Sequence, residues 1–101
     1  MEDIKLSLNE KGRGAFFITD GEEQLAEMAI AVTDVDLIVY HTEVAPKAEG
    51  KGLAKNLLNE MVSYARKHEL KVVPLCPYVH AQFKKHPKDF EDIWRKSSED
   101  L

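Results

Sequence analysis

The strongest constraint on this chain is a change of hydrophobic period between Pro46 and Gly52. Before it, apolar residues alternate with polar ones or run together. Ile4, Leu6 and Leu8 alternate; Ala15 to Thr19, Gln24 to Val32 and Leu37 to Val44 are successive apolar runs. Period two is the pattern of a half-buried strand. After the change, Leu53, Ala54, Leu57, Leu58, Met61, Val62 and Ala65 share one stripe of a helix. Lys55, Asn56, Asn59, Glu60, Ser63, Arg66 and Lys67 take the other side, which makes the helix amphipathic. A short apolar run, Leu70 to Leu75, follows, interrupted by Pro74 and closed by Pro77. Strand, helix, strand in that order makes the two strands parallel neighbours.

Turn residues divide the first half. Lys11-Gly12-Arg13-Gly14, Asp20-Gly21 and Asp34-Val35-Asp36 punctuate an antiparallel meander. The third run is ambiguous with helix, because Leu25, Ala26, Met28 and Ala29 also fit helical spacing. Leu37-Ile38-Val39-Tyr40, β-branched and aromatic, reads as a central strand covered on both faces. Val79 to Lys96 reads as short helical turns broken at His86-Pro87, with Phe83, Phe90, Ile93 and Trp94 buried. Ser97 to Leu101 reads as a frayed tail. The expected architecture is an α/β (α+β) domain over residues 1–96, a mixed sheet of about five strands in the order β-β-β-β-α-β-α.

At 101 residues the chain holds one domain, and 44% hydrophobic content suffices for a core. The single cysteine excludes an internal disulfide. The first ten residues have no apolar h-region, and no apolar run reaches the length of a membrane span, so a soluble cytoplasmic protein is expected. A net charge of -4 argues against a nucleic-acid partner.

The segment from His41 to Ala54 carries the chemistry. Gly50 and Gly52 let the backbone approach a ligand, and the amides ahead of the first helical turn point outward without partners. With the helix dipole behind them, such donors suit a pyrophosphate. A connector that merely turns the chain would have the same glycines. No Gly-Lys-Ser/Thr ends the loop, so it is not a nucleotide P-loop, and Lys55 occupies the third glycine position of a dinucleotide fingerprint. Cys76 and His80 are too few to hold a structural zinc, and no metal is expected.

Lys47-x-x-Gly50-x-Gly52, after a strand and opening a helix, resembles the pyrophosphate loop of the GNAT acetyltransferases, with Lys47 where Gln or Arg is usual. More closely, His41-Thr42-Glu43-Val44, Gly50-Lys51-Gly52-Leu53-Ala54, Val73-Pro74-Leu75-Cys76-Pro77-Tyr78-Val79 and His86-Pro87 resemble the compact GNAT-like family of about 100 residues. The resemblance implies a truncated GNAT fold and acetyl-CoA in a gap between strands four and five. Pro74, unable to donate a ladder bond, is consistent with such a gap. Thr42, Glu43 and Val44 would then meet pantetheine through main chain, as an added strand does. Gly50, Lys51, Gly52, Leu53 and Ala54 would hold the pyrophosphate, with charge from Lys47 and Lys51. The run Lys84-Lys85-His86-Pro87-Lys88 would meet the other phosphate of CoA or remain a solvated patch.

The implied reaction is acetyl transfer to an amine of a protein or polyamine. Cys76, between a strand and a helical turn, is a candidate to carry the acetyl group, since a helix start stabilises thiolate. A buried, inert thiol is the plainer reading. Direct attack by the amine needs a base, and His41 and Glu43, two apart on one strand face, are candidates. Only Gly12 to Gly14 stands where larger members have helices, which implies an open acceptor site. A non-catalytic acyl-CoA-binding or protein-interaction module is the alternative, and a monomer or weak homodimer is expected.

Overall fold

The computed structural model describes residues 3–100. Strands β1 (Asp3–Leu8), β2 (Arg13–Asp20), β3 (Glu23–Val32) and β4 (Asp36–Val44) precede helix α1 (Leu53–Lys67), strand β5 (Lys71–Pro74) and helices α2 (Pro77–Lys85) and α3 (Pro87–Phe90). The five strands lie side by side in chain order, antiparallel from β1 to β4 and parallel between β4 and β5. The predicted order and mixed sheet are therefore what forms. Met1, Glu2 and Leu101, which the sequence reading includes at the ends of its domain and tail, lie outside the described residues.

Register builds the core. Leu6, Phe16, Met28 and Thr42 form one row across the sheet, and Val32, Leu37 and Val72 form another. Leu57, Leu58 and Met61 of α1 are buried in the same cluster as Phe16, Met28 and Leu37. Tyr64 of α1 meets Phe16 edge to face, with ring centroids 5.7 Å apart. Each such large side chain contributes about 1.5–3 kcal/mol when removed from water, which holds the helix on this face. The helical alternative for Gln24 to Val32 loses because that segment is paired on both sides, with Leu25, Ala26, Met28, Ile30 and Ala31 buried.

Three details differ from the sequence reading. The β2–β3 turn is Gly21-Glu22, one residue further on, since Asp20 pairs with Glu23. Leu37-Ile38-Val39-Tyr40 is not covered on both faces: Leu37 and Val39 are buried, while Tyr40 is 41% exposed. Ile38 and Tyr40 alternate onto the face that no helix covers, and a β-bulge follows. Ala29 pairs with His41 and Ile30 with Val39, so Tyr40 has no cross-strand partner. Past the bulge, Thr42 and Val44 rejoin the α1 side, and His41 and Glu43 point away from it.

The third difference lies at the C-terminal end. Val72 donates to Ile93 O at 2.6 Å and accepts from Arg95 N at 2.9 Å, which covers the outer edge of β5. Phe83 stacks on Phe90 with centroids 4.6 Å apart and meets Trp94 at an angle. Ser98–Asp100, expected in the tail, form a 3₁₀ turn. Asp100 accepts from the Ser97 amide, and its Oδ1 lies 2.6 Å from His80 Nε2. The His80 contact, with help from Ser97, holds the Asp100 carboxyl below its usual range.

Candidate active site

The loop between β4 and α1 is built to present amides. A 3₁₀ turn, Pro46–Ala48, leads into Gly50 and Gly52, both in the left-handed region at φ 83° and 76°. Glycine reaches this region freely, whereas other L-residues are strained there. Gly52 caps α1 with no side-chain hydrogen bond, and Asn56 N–H donates to Gly52 O at 3.1 Å. Among the described residues, no amide from Gly50 to Lys55 donates a hydrogen bond within the protein. A Cβ built on Gly50 or Gly52 would meet no atom within 4 Å, so open space stands over these donors. The positive end of the fifteen-residue helix lies behind them.

The edge of β4 beside this loop is open. β4 pairs with β5 from Asp36↔Lys71 to Val39↔Pro74 and no further. Cys76 N–H donates to Val39 O at 2.9 Å, and then the chain turns into α2. Tyr40 to Val44 are left without a backbone partner from the later chain, among the described residues. Both proline positions contribute: Pro74 offers no donor, and Pro77 starts a helix rather than extending the strand. Thr42, Glu43 and Val44 therefore sit on a free edge.

Cys76 caps α2 and is 1% exposed, with its sulfur 3.4 Å from Thr42 Oγ1. The contact ties the start of α2 to β4 where the strands part. Tyr78, two residues on and half-buried, has its phenol pushed above the usual range, first by burial and then by its neighbour Cys76. It stays protonated, an O–H donor that the sequence reading does not single out.

On the face away from α1, the fold brings His41 and Glu43 together with Glu27 of β3, another residue absent from the sequence reading. One ligand-type atom from each lies within 4.8 Å of the others. Glu27 and Glu43 stand directly opposite one another, and His41 Nε2 is 3.9 Å from Glu27 Oε2. Charge patterning could not reveal Glu27, because only the pairing of β3 with β4 sets it there.

The lysines divide. Lys47 forms an ion pair with Glu23, so its charge is shared, while Lys51 has no such partner among the described residues. Lys84 lines a surface of its own with Pro77, His80, Ala81 and Lys85.

A sheet that parts beside its fourth strand, with an amide-lined glycine loop opening the following helix, defines a GNAT-like acyl-CoA N-acyltransferase fold. Residues 15–93 match the family model of the GCN5-related N-acetyltransferases, and the chain belongs to that family. It is thereby an acetyltransferase by class. The solution structure of a GCN5-like protein from Staphylococcus aureus is similar, at 25% identity and TM-score 0.68 over 97% of this chain and 94% of that one. The ribosomal-protein-S18-alanine N-acetyltransferase from Escherichia coli shares the fold, at 18% identity and TM-score 0.58. That match covers 65% of this chain, which spans 43% of the E. coli protein. No curated protein sequence matches the chain. Among the described residues no helix is long and apolar enough to cross a membrane.

Proposed function

We propose that this protein is an acetyl-CoA-dependent N-acetyltransferase that acts on an amine of a protein or polyamine. The observation that carries the reading is the unpartnered amides of Gly50 to Lys55, beside the free edge of β4. The open space over Gly50 and Gly52 fits a pyrophosphate approaching those amides closely. Lys51 adds charge there, and Lys47 contributes while shared with Glu23. Backbone groups of Thr42, Glu43 and Val44 hold the pantetheine arm as a neighbouring strand would.

When bound, acetyl-CoA supplies a thioester carbonyl that an amine nitrogen attacks; the C–N bond forms, the C–S bond breaks and CoA leaves as the thiol. The protein's residues position both partners and move protons. His41 and Glu43 take the proton from the attacking nitrogen. Tyr78, in the first turn of α2, stays protonated and is a candidate proton donor. We favour direct attack over a Cys76 acetyl-enzyme because Cys76 is sealed from solvent. An acyl-CoA-binding module without turnover would share the loop but not the proton-transfer groups. Thiol release from acetyl-CoA, measured against a panel of primary amines, separates the two. Amine-dependent release supports the enzyme, and CoA binding with no release from any amine refutes it.

A further inference from the structure

We infer that the face of the sheet turned away from α1 is a self-association surface, and that its partner is a second copy of this chain. The row Lys5–Phe17–Glu27–Glu43 lies on that face, because the neighbouring row Leu6–Phe16–Met28–Thr42 points to α1. Ala15 pairs with Ala29 one row further on, and Ala31 with Ile38 beyond that. Among the described residues, the core cluster that α1 and α2 cover includes none of Ala15, Phe17, Ala29, Ala31, Ile38 and Tyr40. This face is therefore apolar at its middle and has no helix over it.

Charge selects the occupant. The row through Phe17 is basic at its β1 end, Lys5, and acidic at its β3–β4 end, Glu27 and Glu43. Lys5 stands two strands from Glu27 and three from Glu43, with Phe17 between. Among the described residues Lys5 and Glu43 form no ion pair, and Glu27 meets only His41. Packed sheets keep their strands aligned within about 30°. A two-fold axis along the strands, between β2 and β3, sets β1 over the partner's β4 and β2 over its β3. Lys5 then faces the partner's Glu43, with the partner's Glu27 beside it, and symmetry makes the contact twice. Ala15 faces the partner's Ala29 at the centre, where small side chains allow the spacing of about 10 Å that stacked sheets adopt. The other aligned arrangement, with the axis across the strands, sets Glu43 over the partner's Ile38 and Glu27 over the partner's Ala31. That arrangement strips water from carboxylates and gives them no partner. Four strands by three rows span about 19 by 20 Å, so the two copies bury together roughly 800 Å². A stable interface buries about 1,200–2,000 Å², so this dimer is a weak one that fills at high concentration.

Sedimentation equilibrium from about 10 μM to 1 mM tests this. The apparent mass should rise from 11.5 kDa toward twice that value. Ala29→Arg puts a charge at the centre of the contact and should hold the mass at 11.5 kDa throughout. Lys5→Glu and Glu43→Lys should each weaken association about tenfold, since every pair is lost twice, and the two together should restore it. Both are exposed strand positions, so the swap stands even if Ala29→Arg fails to fold. A mass of 11.5 kDa at every concentration of the unaltered protein overturns the inference, whether the face is then solvated or taken by a different protein. Association that survives in a folded Ala29→Arg protein, or a double swap no better than either single change, also overturns it.

Discussion

Replacing Gly50 with alanine separates the cost of the loop's backbone from the use of the space above it. Gly50 sits at φ 83°, and an added Cβ meets nothing in the protein. The folding penalty is then only left-handed strain, about 1–2 kcal/mol. At about 4–8 °C per kcal/mol in a domain of this size, the melting temperature falls several degrees and the domain stays folded. Gly21, in the β2–β3 turn, gives a matched control: its φ is 65° and its Cβ likewise meets nothing. The two variants should lose similar stability. They should differ in affinity. At Gly50 the new methyl stands where phosphate approaches, and losing one charged hydrogen bond costs about 1.5–3 kcal/mol. CoA binding measured by calorimetry should weaken about 10- to 100-fold for Gly50→Ala and stay unchanged for Gly21→Ala. A folded Gly50→Ala protein binding CoA within about twofold of wild type would refute the loop assignment.

Other outcomes follow from single contacts. Glu69 holds a left-handed φ of 55° just after α1, where Leu70 N–H reaches back to Ala65 O. Glu69→Gly should raise stability by about 0.5–1 kcal/mol, read as a higher urea midpoint; a lower midpoint contradicts this. Arg66 clamps Asp92 through Nε and Nη2, and that hydrogen bond holds the Asp92 carboxyl below the usual carboxylate range. A depressed folded value means the stabilisation is full above about pH 4 and is lost as pH falls through the folded value. Both side chains are about half exposed, so Asp92→Asn should cost less than about 1 kcal/mol at pH 7, with the gap narrowing as pH falls below the usual carboxylate range. A gap that does not change with pH would exclude the mechanism. Cys76, buried, should react with a thiol reagent only as fast as the domain opens, and intact mass after acetyl-CoA alone should show no acetyl adduct; rapid labelling or a Cys76-dependent adduct would restore the two-step route.

Much of this was legible in sequence because it depends on local pattern. The α1 stripe, the glycines before it and the prolines flanking Cys76 specify the helix, the loop and the end of β5 with no long-range information. The bulge at Tyr40 was not legible: an apolar run of four looks the same with or without an extra residue in its ladder. Glu27 is hidden for the same reason, since its place opposite Glu43 depends on register between strands. The burial of Cys76 and the turn at Ser98–Asp100 arise from packing by α2 and from a partner, His80, twenty residues away in sequence. Register and packing by distant segments are the parts that composition and period do not encode.

The central claim is that the amides at the start of α1 and the free edge of β4 hold one ligand. Amide chemical shifts recorded while acetyl-CoA is added test it most directly. Shifts should concentrate at Gly50 to Lys55 and Tyr40 to Val44. Shifts confined to other elements, or none at millimolar ligand, would contradict it.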